Sequence, residues 1–203
     1  MKKTSVLLAL AALGFAGQAM AQQSPWQVRV RAVHLNMADK SEAIPALGVA
    51  ADQITVNNKT IPEVDISYFL TPNIAAELVL TVPQKQTVSI AGTEVGTFKH
   101  LPPTLTLQYH FAPSGQVNPY LGAGVNYTRI SSVKLLGGAG DLENQSLGLA
   151  VQAGVDYKLD KNWSLNFDVK KVQIRSDVYA GGSRVSAVKL DPWLLGVGVG
   201  YRF

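Results

Sequence analysis

Apolar and polar residues alternate at every second position in eight separate segments of the chain. Successive side chains of a β-strand point to opposite faces, so this period predicts strands that have one apolar face and one polar or small face. The eight segments cover residues 26–35, 63–70, 74–82, 104–111, 120–128, 146–159, 163–172 and 193–203. The chain is therefore predicted to be an all-β protein.

The last segment, "WLLGVGVGYRF", shows which face meets which environment. One face carries only bulky apolar residues, namely Trp193, Leu195, Val197, Val199, Tyr201 and Phe203. The other face is nearly empty, because Gly196, Gly198 and Gly200 occupy it together with Leu194 and Arg202. This arrangement favours a closed barrel wall, with bulky residues against lipid and small residues where the interior is crowded.

The connections between the segments also alternate in length. Short turns at 71–73, 112–117 and 160–162 alternate with longer links at 36–61, 83–101, 130–145 and about 175–184. Aromatic residues lie near the short-turn end, as expected for a membrane-interface girdle. They are Trp26, Tyr109, Phe111, Tyr157, Trp163, Tyr201 and Phe203. We predict an eight-stranded antiparallel transmembrane β-barrel of the outer membrane, with both termini in the periplasm.

A soluble, lipocalin-like periplasmic barrel that binds a ligand is the alternative architecture. It would turn the apolar face inwards and leave seven strand glycines in solvent, where glycine weakens a strand without any gain in packing. These glycines are Gly122, Gly124, Gly148, Gly154, Gly196, Gly198 and Gly200.

The first residues resemble a secretory signal peptide. Lys2 and Lys3 precede an apolar run at 6–16, and a small-x-small pattern follows at 19–21. The run is too short for a membrane anchor, so we expect cleavage after Ala21. Residues 22–203 then form a single β-barrel domain, in which the sequence has no apolar stretch near the ~20 residues that a membrane-spanning helix needs.

Composition excludes several kinds of chemistry. The chain has no cysteine, which excludes disulfides, thiolate catalysis and zinc-thiolate sites. Without Lys2 and Lys3 the formal charge falls from +4 to about +2, and no basic stripe suggests nucleic acid. His34, His100 and His110 lack metal-ligand spacing, and no nucleophile motif is present. We therefore expect no enzyme activity, no metal and no cofactor.

Four stretches together resemble one known family. They are "HLPPTL" (100–105), "NPYLGAGVNYT" (118–128), "AGVDYKLDKNWSLN" (153–166) and "KLDPWLLGVGVGYRF" (189–203). They are similar to the OmpW family of outer-membrane proteins, which includes the AlkL-type alkane uptake proteins. The resemblance implies a narrow, largely apolar lumen that passes small hydrophobic molecules. It also implies that Tyr201 and Phe203 form the signal that the outer-membrane assembly machinery recognises.

Three prolines suggest where a solute could leave the barrel. Pro83 ends the third predicted strand, and Pro102 and Pro103 begin the fourth, in the same hairpin. None of them can donate a ladder hydrogen bond, so we hypothesise an unpaired stretch that opens sideways into lipid. The alternative is that these prolines only bound the strands. Val79, Leu101 and Leu194 are candidates to line the apolar lumen, in which Lys170 is a polar exception.

Inward-facing charges form the second group of candidates. They are Arg29, Arg31, Asp65, Glu77, Asp156, Asp168, Lys170 and Arg202. Isolated buried charge is costly, so these side chains should pair across the barrel and form a polar plug. The expected function is passive diffusion of small hydrophobic solutes through the lumen, with lateral exit into outer-membrane lipid. The alternative is a structural, adhesive or receptor barrel that does not transport.

Overall fold

A computed structural model describes residues 24–203, so the predicted signal peptide lies outside the described residues. Within 24–203 there are fifteen strands and two short 3-10 turns, and no helix is long and apolar enough to cross a membrane. The strands are β1 (Trp26–Asn36), β2 (Lys40–Ser41), β3 (Ile54–Val56), β4 (Lys59–Phe69), β5 (Ile74–Thr81), β6 (Gln84–Ile90), β7 (Thr93–Leu101), β8 (Thr104–His110), β9 (Val117–Leu135), β10 (Gly140–Leu142), β11 (Gln145–Lys158), β12 (Trp163–Val172), β13 (Arg175–Ala180), β14 (Ser183–Lys189) and β15 (Trp193–Arg202).

Eight of these strands form a closed antiparallel barrel. Their order around the ring is β1, β4, β5, β8, β9, β11, β12 and β15, and β15 pairs again with β1. Each of the eight contains most of one predicted segment, so the predicted fold class is confirmed. A closed ring of eight strands leaves an interior that side chains can just fill.

The outer surface of the barrel is a band of exposed apolar side chains. Val30, Leu107, Leu121 and Val197 are each about half exposed, as alternation requires for residues that face away from the lumen. Aromatic rings meet edge to face near the short-turn end, with centroids 4.8 Å apart for Trp26–Tyr68, 5.0 Å for Trp163–Tyr201 and 5.1 Å for Tyr109–Phe111. Such a band with an aromatic girdle is the surface of a membrane-spanning barrel.

The long links contain further strands that the sequence analysis did not predict. They contain β2, β3, β6, β7, β10, β13 and β14, which we call the crown. β7 and β10 pair with the upper end of β9, so the crown extends the barrel wall at the long-loop end. Register shifts interrupt both crown hairpins and obscure the alternation in the sequence. The hairpin tips at Ala91–Gly92 and Gly181–Gly182 have positive φ, a turn signal that the sequence does contain.

The interior is divided into two layers. Around β1, the inward side chains in the lower half of the barrel are polar or charged, and they include Gln27, Arg29 and Arg31. From Val33 and Leu35 towards the crown they belong to a buried apolar cluster. The upper end of the barrel is its long-loop end, and the lower end is its short-turn end. The boundary between the two layers lies inside the barrel.

Candidate functional site

A network of buried ion pairs closes the lower half of the lumen. Arg29 is fully buried and its guanidinium binds two carboxylates, with Nη1 2.7 Å from Glu77 Oε2 and Nη2 2.7 Å from Asp156 Oδ2. Arg31 lies two residues further along β1. Its Nη2 is 2.6 Å from Asp65 Oδ2, and its Nη1 is 3.5 Å from Asp168 Oδ2. Because all these charges are buried, each needs its partners to offset the loss of hydration.

Lys170 and Glu63 form the upper edge of this network. Lys170 Nζ lies 3.5 Å from Glu63 Oε1, and the same carboxylate lies 3.0 Å from Arg31 Nη2. Lys170 is only 1 % exposed, so its charge belongs to the network and does not stand alone in an apolar lumen. Sequence reasoning missed Glu63, although its alternation with Asp65 places both on the inward face of β4. We call the ionic residues Arg29, Arg31, Glu63, Asp65, Glu77, Asp156, Asp168 and Lys170 the plug.

Neutral polar side chains complete the plug. The Tyr120 hydroxyl donates to Asp168 Oδ2 at 2.8 Å and accepts from Asn166 Nδ2 at 3.0 Å. Asn166 Nδ2 also donates to Asp156, and Gln152 Nε2 donates to Glu77 at 3.2 Å. These bonds orient three carboxylates that come from three different strands, so the plug ties the barrel together across its diameter.

Arg202 was predicted to join the network of inward charges, but it does not. Its side chain is half-buried at the lower mouth, where Nε donates to the carbonyl oxygen of Ser24 at 3.1 Å. The guanidinium lies over the Phe69 ring, 3.8 Å from its centroid. In the described part of the chain no carboxylate lies within ion-pair distance of it, and the Asp160 carboxylate at this mouth accepts from the backbone N–H groups of Asn162 and Trp163 instead.

A small cavity lies directly above the plug, and we call it the lower cavity. It has a volume of about 20 Å³ and a mixed lining that includes Lys170 and Glu63 from the plug. Four of the predicted lumen residues line it together, namely Val79, Pro102, Lys170 and Leu194. The lining also includes Thr81, His100, Thr104 and Asn126. The charged side chains of the plug therefore form the floor of the lower cavity, and the β5–β8 wall forms one of its sides.

The barrel wall is interrupted beside the lower cavity. β5 pairs with β8 only as far as Val79 and Thr104, and pairing resumes above at Gln84 and His100 in the β6–β7 hairpin. Among the described residues no backbone hydrogen bond joins 80–83 to 101–103. We call this interruption the gap. The neighbouring walls are paired at this height, since Thr81 pairs with Glu63 on one side and Leu101 pairs with Arg129 on the other.

Prolines and side chains together hold the gap open. Pro83, Pro102 and Pro103 have no N–H to donate across it. The carbonyl oxygens of Pro102 and Pro103 instead accept from Asn126 Nδ2 at 3.2 and 3.1 Å. Asn126 is completely buried, and sequence reasoning missed it. The Pro103 carbonyl oxygen also accepts from the Tyr127 backbone N–H at 3.0 Å, so the carbonyl groups at this edge of the gap are bonded on the β9 side and not across the gap.

The remaining lumen candidates border the gap from outside. Pro83 is exposed and Pro103 is half-buried, and neither lines the lower cavity. Leu101 does not line it either, so we revise the expectation that Leu101 contacts the lumen. Its neighbour His100 is buried on the inward face, and alternation therefore turns Leu101 outwards.

A second, more apolar cavity lies inside the crown, and we call it the upper cavity. Its volume is about 60 Å³, and all but two of the residues that line it, Ser176 and Tyr179, have apolar side chains or none. The lining comes from nearly every crown strand, including Ile54 of β3, Val88 of β6 and Val188 of β14. The crown thus encloses an apolar space above the barrel proper.

The two residues predicted as the assembly signal lie at the end of β15. Tyr201 is half-buried, and its ring centroid is 5.0 Å from that of Phe203. Phe203 is 49 % exposed, and its backbone is bonded to Trp26 and Ser24. Both rings are part of the aromatic girdle. Within the described residues no group of three or more His, Asp or Glu side chains is placed to hold a metal ion.

Known proteins are similar to this chain both in sequence and in fold. The profile of the OmpW family matches residues 22–203. The chain belongs to the OmpW family. It is 44 % identical to an uncharacterized outer-membrane protein of Sinorhizobium fredii, over 89 % of this chain and 80 % of that protein. It is 32 % identical to outer membrane protein W of Vibrio cholerae, over the full length of both. This OmpW family member is accordingly an outer-membrane protein, as predicted.

Solved structures of similar proteins share this architecture. The crystal structure of OprG from Pseudomonas aeruginosa superposes with a TM-score of 0.78 at 27 % identity, covering 89 % of this chain and 97 % of OprG. The structure of AlkL in lipid bilayers gives a TM-score of 0.69 at 25 % identity, covering 93 % and 94 %. A further relative, 27 % identical over the full length of both chains, is a dibenzothiophene metabolism operon protein of Pseudomonas aeruginosa.

Proposed function

We propose that this OmpW family member is a passive conduit for small hydrophobic molecules, and not an enzyme. In this proposal the long-loop end faces the outside of the cell, and both termini lie in the periplasm. The observation that carries the proposal is the position of the gap, which is an unpaired stretch of wall beside a cavity that lies above a closed plug.

The apolar upper cavity is suited to be the entrance. Its lining offers no partner for an ion and little for a sugar, whereas an apolar solute loses its contact with water there. A hydrophobic solute that enters the crown is thus transferred from water into an environment that resembles a protein core. Such a site accepts molecules by apolarity and size and not by charge.

The plug excludes continuation along the barrel axis. A solute that reached it would have to separate buried ion pairs, and breaking one such pair costs about 3–5 kcal/mol. The gap offers a path of lower cost, since no backbone ladder needs to be broken between 80–83 and 101–103. Outward-facing Leu80 and Val82 flank it on the lipid side. The solute therefore leaves sideways into the outer membrane.

Assembly of the barrel is a separate part of the proposal. The chain ends in alternating aromatic residues, Tyr201 and Phe203, on the lipid-facing side of the strand that closes the ring. We propose that the outer-membrane assembly machinery recognises this end. Neither residue contacts the cavities, so this role is independent of transport.

An uptake measurement tests the proposed transport. Initial uptake of labelled dibenzothiophene or naphthalene is compared between cells with and without the protein, normalised to the amount in the outer membrane, with a sugar as the polar control solute. The proposal predicts faster uptake of the aromatic solutes and unchanged uptake of the sugar. If cells with and without the protein take up each of the three solutes at the same rate, the structural, adhesive or receptor alternative is favoured.

A further inference from the structure

Two buried polar side chains face the lumen without a partner in the protein. His100 on β7 is 1 % exposed and Gln86 on β6 is completely buried. Among the described residues, no hydrogen-bond partner exists for either ring nitrogen of His100 or for either amide atom of Gln86. Buried polar groups are nearly always hydrogen-bonded, so two adjacent exceptions require a physical reason.

Both side chains lie between the two cavities. Gln86 pairs with Phe98, and Gln84 pairs with His100, so Gln86 and His100 are diagonal neighbours on the inward face of one hairpin. Phe98 lines the upper cavity and His100 lines the lower one, and their ring centroids are 5.9 Å apart. A solute that moves from the upper to the lower cavity must pass this hairpin.

Neighbouring polar residues do not share this lack of partners. Gln84 Nε2 donates to the carbonyl oxygen of Val82 at 2.9 Å. Lower in the barrel, His110 is as buried as His100, but both of its ring nitrogens have partners, Gln108 Oε1 at 3.1 Å and Asn118 Nδ2 at 2.9 Å. His110 thus has both of its partners within the barrel, whereas His100 and Gln86 have none.

The pair offers neutral donors and acceptors. His100 is buried and has no hydrogen-bonded counter-charge, and these surroundings favour the uncharged imidazole. A neutral imidazole has one N–H donor and one acceptor nitrogen, and the Gln86 amide has both kinds of group. A charged solute would lose its hydration here without meeting a counter-charge, whereas a hydroxyl or a carbonyl would find a complementary partner.

We propose that His100 and Gln86 select, among small apolar solutes, those that carry one neutral hydrogen-bonding group, such as a ketone or an alcohol. This inference rests on the proposed function, because it names the solute class of the same passage. A pure hydrocarbon leaves both side chains unpaired as it passes, and a site with buried polar groups discriminates against such a molecule.

A matched pair of solutes tests this selectivity. Initial uptake of labelled decane and of labelled 2-decanone is measured in cells that produce the full chain, its variants Gln86→Leu and His100→Leu, or neither. Each variant is expected to lower the ratio of ketone uptake to decane uptake by at least about fivefold, the effect of one lost hydrogen bond. His34→Leu is the matched control, because the His34 side chain is exposed on the outer surface of β1, where its Nδ1 lies 3.0 Å from Thr60 Oγ1.

The outcomes separate this inference from the proposed function. If the protein accelerates both solutes and the ratio is the same in the wild type and in the folded Leu variants, the selectivity is overturned and the conduit stands. If the wild type accelerates neither solute, the conduit fails and the selectivity fails with it. The shift of the folded barrel on unheated gels shows which variants are folded, and either single variant decides the question.

Discussion

The Arg31 side chain lies directly across from Gly198. The two residues are paired between β1 and β15, and a Cβ atom at position 198 would lie 2.8 Å from Arg31 Cγ and 2.1 Å from the carbonyl oxygen of Val30. Arg29 and Gly200 are paired in the same way. The empty face of the C-terminal strand is therefore the space into which the arginines of the plug fit.

This relationship predicts different effects for two neighbouring glycines. Gly198→Ala should destabilise the barrel by about 1–3 kcal/mol or prevent its closure, because the contact at 2.1 Å is with backbone and cannot relax by rotamer change. Gly196→Ala is the matched control, since the nearest atom to its added Cβ would be Arg31 Cδ at 3.4 Å. Urea unfolding in lipid vesicles, followed by tryptophan fluorescence, measures both. Equal stability of the two variants would contradict the close approach.

The ion pairs of the plug predict a second contrast, between buried and exposed arginines. Arg31→Ala leaves Asp65 and Glu63 without their guanidinium and should cost about 3–5 kcal/mol of unfolding free energy. Arg184→Ala removes two surface pairs, with Glu42 and with Asp177, and should cost at most about 1 kcal/mol. The same urea titration measures both variants. A loss for Arg31→Ala no larger than that for Arg184→Ala would show that the plug does not hold the barrel together.

The sequence predicts the strands correctly where the alternation of apolar and polar residues is regular. In the barrel strands the lipid face and the lumen face differ sharply, so a period of two identifies all eight and places Arg29 and Glu77 inside. In the crown, bulges interrupt the period and both faces carry mixed residues, so its strands were not predicted. Arg202 was predicted to be inside by alternation alone, which cannot show that the barrel opens at that level.

The gap is predictable in position but not in detail. Three prolines in one hairpin indicate that ladder bonds are missing, because that property belongs to each residue by itself. The role of Asn126 depends on the pairing of β8 with β9, and sequence alone does not give this register. The same limit applies to His100, whose burial depends on the pairing of β7 with β6 and with the upper end of β9.

The proposed assembly signal at the C-terminus predicts that loss of Phe203 affects assembly in cells more than folding in vitro. Deletion of Phe203 should reduce the amount of barrel in the outer membrane several-fold, because the terminal aromatic residue of the proposed signal is lost. Refolding of the purified chain into lipid vesicles should be nearly unchanged, since Phe203 is half exposed and lies outside the plug. Trp163→Ser, which removes another girdle ring, is the control. Equal losses in cells for both variants would argue against a specific signal.

Lateral exit through the gap is the central claim, and a reversible bridge across it is its most direct test. Val82, just after β5, and Leu101, at the end of β7, flank the gap on opposite sides, and the chain contains no native cysteine that would interfere. Cells that carry Val82→Cys and Leu101→Cys are treated with a short bifunctional thiol reagent, and uptake of dibenzothiophene is followed before treatment, after it, and after reduction. A second pair, Val169→Cys and Leu195→Cys, bridges β12 and β15 where the wall is already paired.

The predicted result is that bridging the gap abolishes the uptake due to the protein, that reduction restores it, and that bridging the control pair has no effect. Uptake that continues unchanged through a bridged gap would contradict lateral exit.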